Sequence, residues 1–314
     1  MSTTLAVVLT APQQLELRRV DLSPSTSDGD VLIAVEWTGI STGTECLLFN
    51  GRMPPFPGMG YPLVPGYETV GRVVEAGPEA IVAVGQRVFV PGASCFGELR
   101  GLFGGAASRL RVPSTRVTVI PESLGERGIL LALAATAQHA IAGGDGRALE
   151  LIVGHGIVGR LLARLAVAYG MAPVVWEKNP RRRAGAHGYS VVAPEDDVRS
   201  DYRSIYDASG DSALLEPLIR RVARGGEIVL AGFYAERLAF DFPIAFIKEL
   251  RLRVAAEWTP QDLAAVADMV TSGRLDLDGL ITHRRGFEQV LDAYPTAFGD
   301  PDCLKMVVDW RECS

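Results

Sequence analysis

The chain has 314 residues, 48% hydrophobic and 22% charged, with a formal net charge of −6. That is the balance of an ordinary soluble enzyme, long enough for two domains at ~150 residues each. The net acidity and the absence of a broad basic stripe argue against nucleic acid as the main partner. Four cysteines, at 46, 95, 303 and 313, show no paired spacing and read as reduced thiols rather than a disulfide frame or zinc knuckle. No apolar segment is long enough to span a bilayer, and the N-terminus lacks the pattern of a signal peptide, so a cytoplasmic protein is expected.

Residues 1–121 are expected to form an all-β domain. Short apolar strands at 5–9, 15–20, 31–37, 69–75, 87–90, 108–112 and 117–119 alternate with glycine- and proline-bearing turns, the pattern of a small barrel. Two loops interrupt it. Residues 51–62 are rich in proline and apolar side chains, and residues 97–105 carry Leu102 and Phe103 among glycines. An apolar loop either contacts something hydrophobic or folds onto its own barrel, and the residues leave both open.

An alanine-rich helix over 126–143 leads into a second domain, 122–255. Leu149-Glu150-Leu151-Ile152-Val153 reads as a buried parallel strand, followed by Gly154-His155-Gly156-Ile157-Val158-Gly159 and an apolar helix from about Arg160 to Tyr169. A second strand at 173–176 ends on Glu177, 18 residues beyond Gly159 (177 − 159). This is the order needed to hold a dinucleotide. Gly154 permits the tight turn, Gly156 lets backbone approach a pyrophosphate, and Gly159 lets the helix pack on the sheet. The helix N-terminus offers free N–H groups to phosphate. A carboxylate at Glu177 accepts ribose hydroxyls and repels a 2′-phosphate, favouring NAD, whereas Lys178 and Arg181 to Arg183 suit NADP or a solvated helix start. Further elements are a helix near 180–187, strands at 191–192, 204–207 and 227–231, and a helix over 212–223 before the turn Gly225-Gly226. Alternation of strand and helix predicts a doubly wound parallel sheet. Residues 256–314 are expected to add a helix at 260–272, a segment at 287–294 and a last strand at 305–309 that returns to the first domain.

The stretches Val64-Pro65-Gly66-Tyr67-Glu68-Thr69-Val70-Gly71-Arg72-Val73, Val84-Gly85-Gln86-Arg87-Val88 and Ala134-Ala135-Thr136-Ala137-Gln138-His139-Ala140 make the whole chain resemble the medium-chain dehydrogenase/reductase superfamily. Gly39-Ile40-Ser41-Thr42-Gly43-Thr44-Glu45 joined to the proline loop 51–68 is similar to a narrower branch, the bacteriochlorophyllide a dehydrogenases. The resemblance implies an α/β chain: a GroES-like β-barrel catalytic domain plus a Rossmann domain with a doubly wound parallel sheet. It implies oxidation of the 3-(1-hydroxyethyl) group of a bacteriochlorophyllide to 3-acetyl, with NAD taking the hydride. It also allows association with pigment-synthesis membranes at their surface, and a homodimer through an edge strand near 227–232 or 250–256.

Within that resemblance the places of two zinc ligands fall at Ser41 or Thr42 and at Tyr67, whose hydroxyls are poor zinc ligands. A zinc-independent enzyme is therefore expected, with no metal. The proton of the alcohol would pass to protein groups: Thr44 at the relay position, Glu45 beside it, Tyr67 with Glu68 as a hydrogen-bonded acid/base pair, and His139. The expected cofactor contacts are Gly154, His155, Gly156, Ile157, Val158, Gly159, Glu177 and Lys178. Met53, Phe56, Met59, Tyr61 and Phe103 are expected to line an apolar substrate. Two other readings stay open: an NADPH-dependent quinone or enoyl reductase, and a dinucleotide-binding protein without catalysis.

Overall fold

In the computed structural model, residues 3–55, 57–101 and 103–313 are described. They divide into two compact units, Met1–Ala132 with Leu280–Ser314, and Leu133–Gly279.

The first unit begins with the antiparallel hairpin β1 (Thr3–Ala11) and β2 (Gln14–Asp21). The spine is β3 (Asp30–Ile40), buried at every residue except Ala34 and Glu36, and short helix α1 (Thr44–Phe49) leaves its end. β4 (Thr69–Ala76) and β6 (Arg109–Pro113) pair with β3, while β5 (Arg87–Val90) and β7 (Thr118–Val119) extend the sheet. In place of the first half of the expected helix, Glu122–Leu130 forms 3₁₀ turns laid along the barrel, with Leu124, Ile129 and Leu130 buried. Only α2 (Leu131–Ala142) is α-helical there.

The second unit is a six-stranded parallel sheet. Its strands are β8 (Leu151–Val153), β9 (Val174–Trp176), β10 (Ser190–Val192), β11 (Tyr202–Asp207), β12 (Val222–Leu230) and β13 (Arg251–Val254), with α3 (Ile157–Ala168) after β8. The spatial order β10-β9-β8-β11-β12-β13 reverses between β8 and β11, which is the switch point where such sheets bind nucleotides. β8 is buried at every residue, as a strand covered on both faces must be.

Three expectations here need correction. The helix near 180–187 is a single 3₁₀ turn, Pro180–Arg182, followed by irregular chain. The missing helical bonds are replaced by the buried Arg160 guanidinium, which donates to the carbonyls of Arg182, Ala184 and Gly185. The helix at 212–223 starts as a 3₁₀ turn, becomes α4 (Leu215–Arg221) and yields to β12 at Val222. Gly225 and Gly226 are then not a turn between elements but part of a bulge: Tyr202 pairs with Val222 and Ser204 with Glu227, the extra residues being absorbed at Gly225, φ +68°.

Two helices complete this unit, α5 (Phe242–Lys248) and α6 (Pro260–Thr271). The chain re-enters the first unit through β14 (His283–Gly286), α7 (Val290–Gly299) and β15 (Met306–Asp309). β15 runs antiparallel to β3, and its residues share a core with β1, β3, β6 and α7.

Candidate active site

The second unit carries the glycine turn. Gly154 sits at φ +94°, where a side chain would be strained, and a Cβ on Gly159 would lie 1.8 Å from the Gly154 carbonyl oxygen. Both are therefore fixed as glycine by the backbone itself. A Cβ on Gly156 would point into open space, and no side chain caps α3, so its first N–H groups stay available to an anion. Ile157 is buried under the turn and Val158 is half-buried beside it. The chain's residues thus fit a dinucleotide pyrophosphate.

Glu177, at the end of β9, is buried, and each carboxylate oxygen accepts one backbone N–H: Oε2 from His155 at 3.0 Å, Oε1 from Asn179 at 2.8 Å. A carboxylate offers about four lone-pair sites, so acceptor capacity remains for ribose hydroxyls. His155 departs from expectation. Its ring is wholly buried: Nδ1 donates to the Arg182 carbonyl at 2.6 Å, leaving Nε2 to accept from the Tyr189 hydroxyl at 2.9 Å. Burial depresses its pKa to about 4, so the imidazole is a neutral strut; its backbone N–H, not its ring, serves the turn by fixing Glu177. Lys178 is exposed, and Arg183 donates to the carbonyls of Glu177 and Lys178.

His139 lies on α2 in this unit, with Nδ1 2.9 Å from Asp262 Oδ2. The same oxygen accepts from the Thr259 N–H and hydroxyl in the box that caps α6. The imidazole completes a helix cap.

The first unit gathers the other residues into one buried cluster. Ser41 follows β3, Thr44 and Glu45 open α1, and Tyr67 and Glu68 lead into β4. Tyr67 donates its hydroxyl to Ser41 Oγ at 2.7 Å. Burial, then the Glu68 charge, holds the Tyr67 phenol well above its ordinary value, with its hydrogen-bonding to Ser41 and Thr44 pulling the other way. The expected Tyr67–Glu68 bond is absent. Glu68 is taken instead by Lys305, whose Nζ donates to Oε2 at 2.6 Å, to Oε1 at 2.8 Å and to the Ile40 carbonyl at 3.2 Å. Both side chains are at most 1% exposed. Gly39 makes room for this pair: a Cβ there would sit 2.2 Å from Glu68 Oε2.

Glu45 is 1% exposed, with Oε1 accepting the Ser41 N–H at 3.2 Å and Oε2 left without a hydrogen-bond partner. Burial first, and the neighbouring Glu68 second, raise its pKa to about 8. Lys305 and Tyr294, both from the returning tail, are the members that reading the sequence did not find.

The loop residues divide. Met53 is buried with Leu9, Leu48 and Leu63, so it supports the barrel rather than lining a substrate site. Met59, Tyr61 and Phe103 are half-buried on that cluster, and the Phe103 ring meets Tyr67 edge-on at 5.0 Å between centroids. Tyr61 donates to the Leu48 carbonyl. Phe56 lies outside the described residues.

A catalytic zinc of the superfamily's kind needs thiolate, imidazole or carboxylate donors converging on one point. Here Ser41 Oγ is engaged by Tyr67 and both Glu68 oxygens by Lys305. Among the described residues no three His, Cys, Asp or Glu side chains converge to hold an ion. The donor set does not fit zinc.

The alcohol dehydrogenase GroES-like domain family matches residues 27–122. The chain is 55% identical over 314 residues to the 2-desacetyl-2-hydroxyethyl bacteriochlorophyllide A dehydrogenase of Cereibacter sphaeroides, covering 98% of each. It is 53% identical over 311 residues to the protein of that name from Rhodobacter capsulatus, covering 98% of this chain and 99% of that one. A crystal structure of an Escherichia coli CFT073 alcohol dehydrogenase complexed with NADH has the same fold, with TM-score 0.82 at 22% identity over 98% of this chain and 100% of that one. The chain belongs to the bacteriochlorophyllide dehydrogenase family, within the oxidoreductases of the medium-chain alcohol dehydrogenase type.

Proposed function

We propose that this protein oxidises the 3-(1-hydroxyethyl) group of a bacteriochlorophyllide to 3-acetyl, using NAD and no zinc. The observation that carries the reaction is identity above half, along 98% of the chain, with two relatives bearing that activity in their names. Bound at the glycine turn, NAD supplies the hydride acceptor. The choice of NAD over NADP is supported by Glu177, a buried carboxylate fixed by two N–H groups where a 2′-phosphate would be repelled.

The chain's own part is to hold the carbinol and take its proton. Met59, Tyr61 and Phe103 offer half-buried apolar surface to a flat macrocycle, and the Tyr67 ring meets Phe103 edge-on. Thr44, Tyr67 and Ser41 form the hydroxyl group of the site, backed by the carboxyls of Glu45 and Glu68. His139 and the His155 ring are assigned supporting roles. Among the described residues no helix is long and apolar enough to cross a membrane. A homodimer through the edge strand β13 is consistent with its exposed Leu252 and Val254.

The test is to incubate the purified protein with 3-hydroxyethyl bacteriochlorophyllide and either NAD or NADP, following the pigment's absorption. A shift to the acetyl pigment's spectrum with NAD is expected. No shift with either dinucleotide contradicts the reading, and much tighter NADPH binding with reduction of quinones or enones favours the reductase alternative.

A further inference from the structure

Two buried carboxyls and one buried cation occupy the space behind Tyr67, and their bonding is unequal. Lys305 has three N–H donors, and all three are spent on Glu68 Oε1, Glu68 Oε2 and the Ile40 carbonyl. Burial raises the Glu68 pKa, and the Lys305 bonds oppose that rise by favouring the ionised carboxylate. Glu45 receives the Ser41 N–H and faces the Tyr294 hydroxyl, but it bonds no cation, and its Oε2 is buried without a partner. A lone carboxylate oxygen in that position is costly to keep charged. With Glu45 protonated the group carries no net charge; with Glu45 ionised it carries one buried negative charge.

We propose that the Glu68–Lys305 pair is the positioning element of this site, locking its own charges so that Glu45 alone takes up and releases the proton. The groups facing Glu45 are Ser41 at the end of β3, Tyr67 and Glu68 before β4, Tyr294 on α7 and Lys305 before β15. Burial of Glu45 and the adjacent Glu68 charge place its titration near pH 8, close to where an acid/base group works best. The inference rests on the proposed dehydrogenation. There the C–O single bond of the carbinol would become C=O, with its C–H hydride going to a nicotinamide held at the glycine turn and its hydroxyl proton taken up by the ionised form of Glu45. The tail therefore completes the site, since Lys305 and Tyr294 both come from residues 280–314.

The test is infrared difference titration of the full-length protein, which needs no substrate. Wild type is expected to show a protonated buried carboxyl lost near pH 8. Glu45→Gln, which removes no charge from the folded chain at neutral pH, abolishes that signal. Glu68→Gln leaves Lys305 to pair with Glu45 and moves the signal down by about one pH unit, ~10-fold in proton affinity. Lys305→Arg keeps it in place. A signal that survives Glu45→Gln, or one that disappears in Glu68→Gln while Glu45 is intact, overturns the proposal. The same shift in the kcat profile, with KM for the pigment unchanged, supports the role in turnover. The infrared pattern without any turnover supports the charge assignment and contradicts the proposed function instead.

Discussion

The glycine turn of the second unit and the carboxyl cluster of the first are built on opposite principles. The turn is made of backbone: positive φ at Gly154, a contact too close for any side chain at Gly159, and uncapped N–H groups at α3. Its specificity for anions follows from geometry that any βαβ unit of this kind can supply. The cluster is made of side chains drawn from β3, α1, the entrance to β4, α7 and the approach to β15, and almost none of it touches solvent. The first region binds what many dehydrogenases bind. The second, in the proposed function, would do a metal's job with a charge arrangement of its own.

The sharpest way to break the comparison is in the turn. Gly159→Leu forces a side chain into the Gly154 carbonyl, and is expected to weaken NAD binding more than ~100-fold in a fluorescence titration. Binding within a few-fold of wild type would show that the turn is not the cofactor site. Next in size, Lys305→Met leaves Glu68 as an unpaired buried carboxylate. About 3–5 kcal/mol of stability should disappear in denaturant melts at neutral pH. An unchanged midpoint would mean that the pair is solvated in solution.

Tyr67→Phe removes the hydroxyl but keeps the ring on Phe103. It is expected to lower kcat for pigment oxidation by ~100-fold while leaving NAD affinity intact. A parallel loss of NAD affinity would place Tyr67 in cofactor binding. The smallest effect concerns pH and stability. Glu45 binds its proton more tightly folded than unfolded, so its contribution is full below the ordinary carboxylate value and declines as pH rises toward 8. Melts at pH 5 and pH 8 should show wild type losing a few kcal/mol relative to Glu45→Gln, and equal losses in both would contradict the burial argument.

What the sequence made legible follows the same division. The turn is local: Gly154 to Glu177 spans one strand-helix-strand unit, and its signal is periodicity plus glycine spacing. The barrel strands were legible for a similar reason, as apolar runs between glycine and proline turns. The cluster was half legible, since Thr44, Glu45, Tyr67 and Glu68 sit in two short motifs that the structure does bring together. Lys305 was not, because 237 residues separate it from Glu68 and it reads as the polar start of a last strand. The expected Tyr67–Glu68 bond failed because Tyr67 donates to Ser41 while Lys305 takes both Glu68 oxygens. The lost helix at 180–187 had suitable composition, but the buried Arg160 and His155 capture the carbonyl of Arg182, a contact no local pattern announces.

The central claim is that protein groups, not zinc, complete the hydride chemistry of this family member. It is tested most directly by dialysing the protein against a strong zinc chelator, measuring zinc in that sample, and assaying NAD-linked conversion of the hydroxyethyl to the acetyl pigment. The account predicts full turnover with zinc far below one per chain. Turnover that vanishes with the metal and returns when zinc is restored would contradict it.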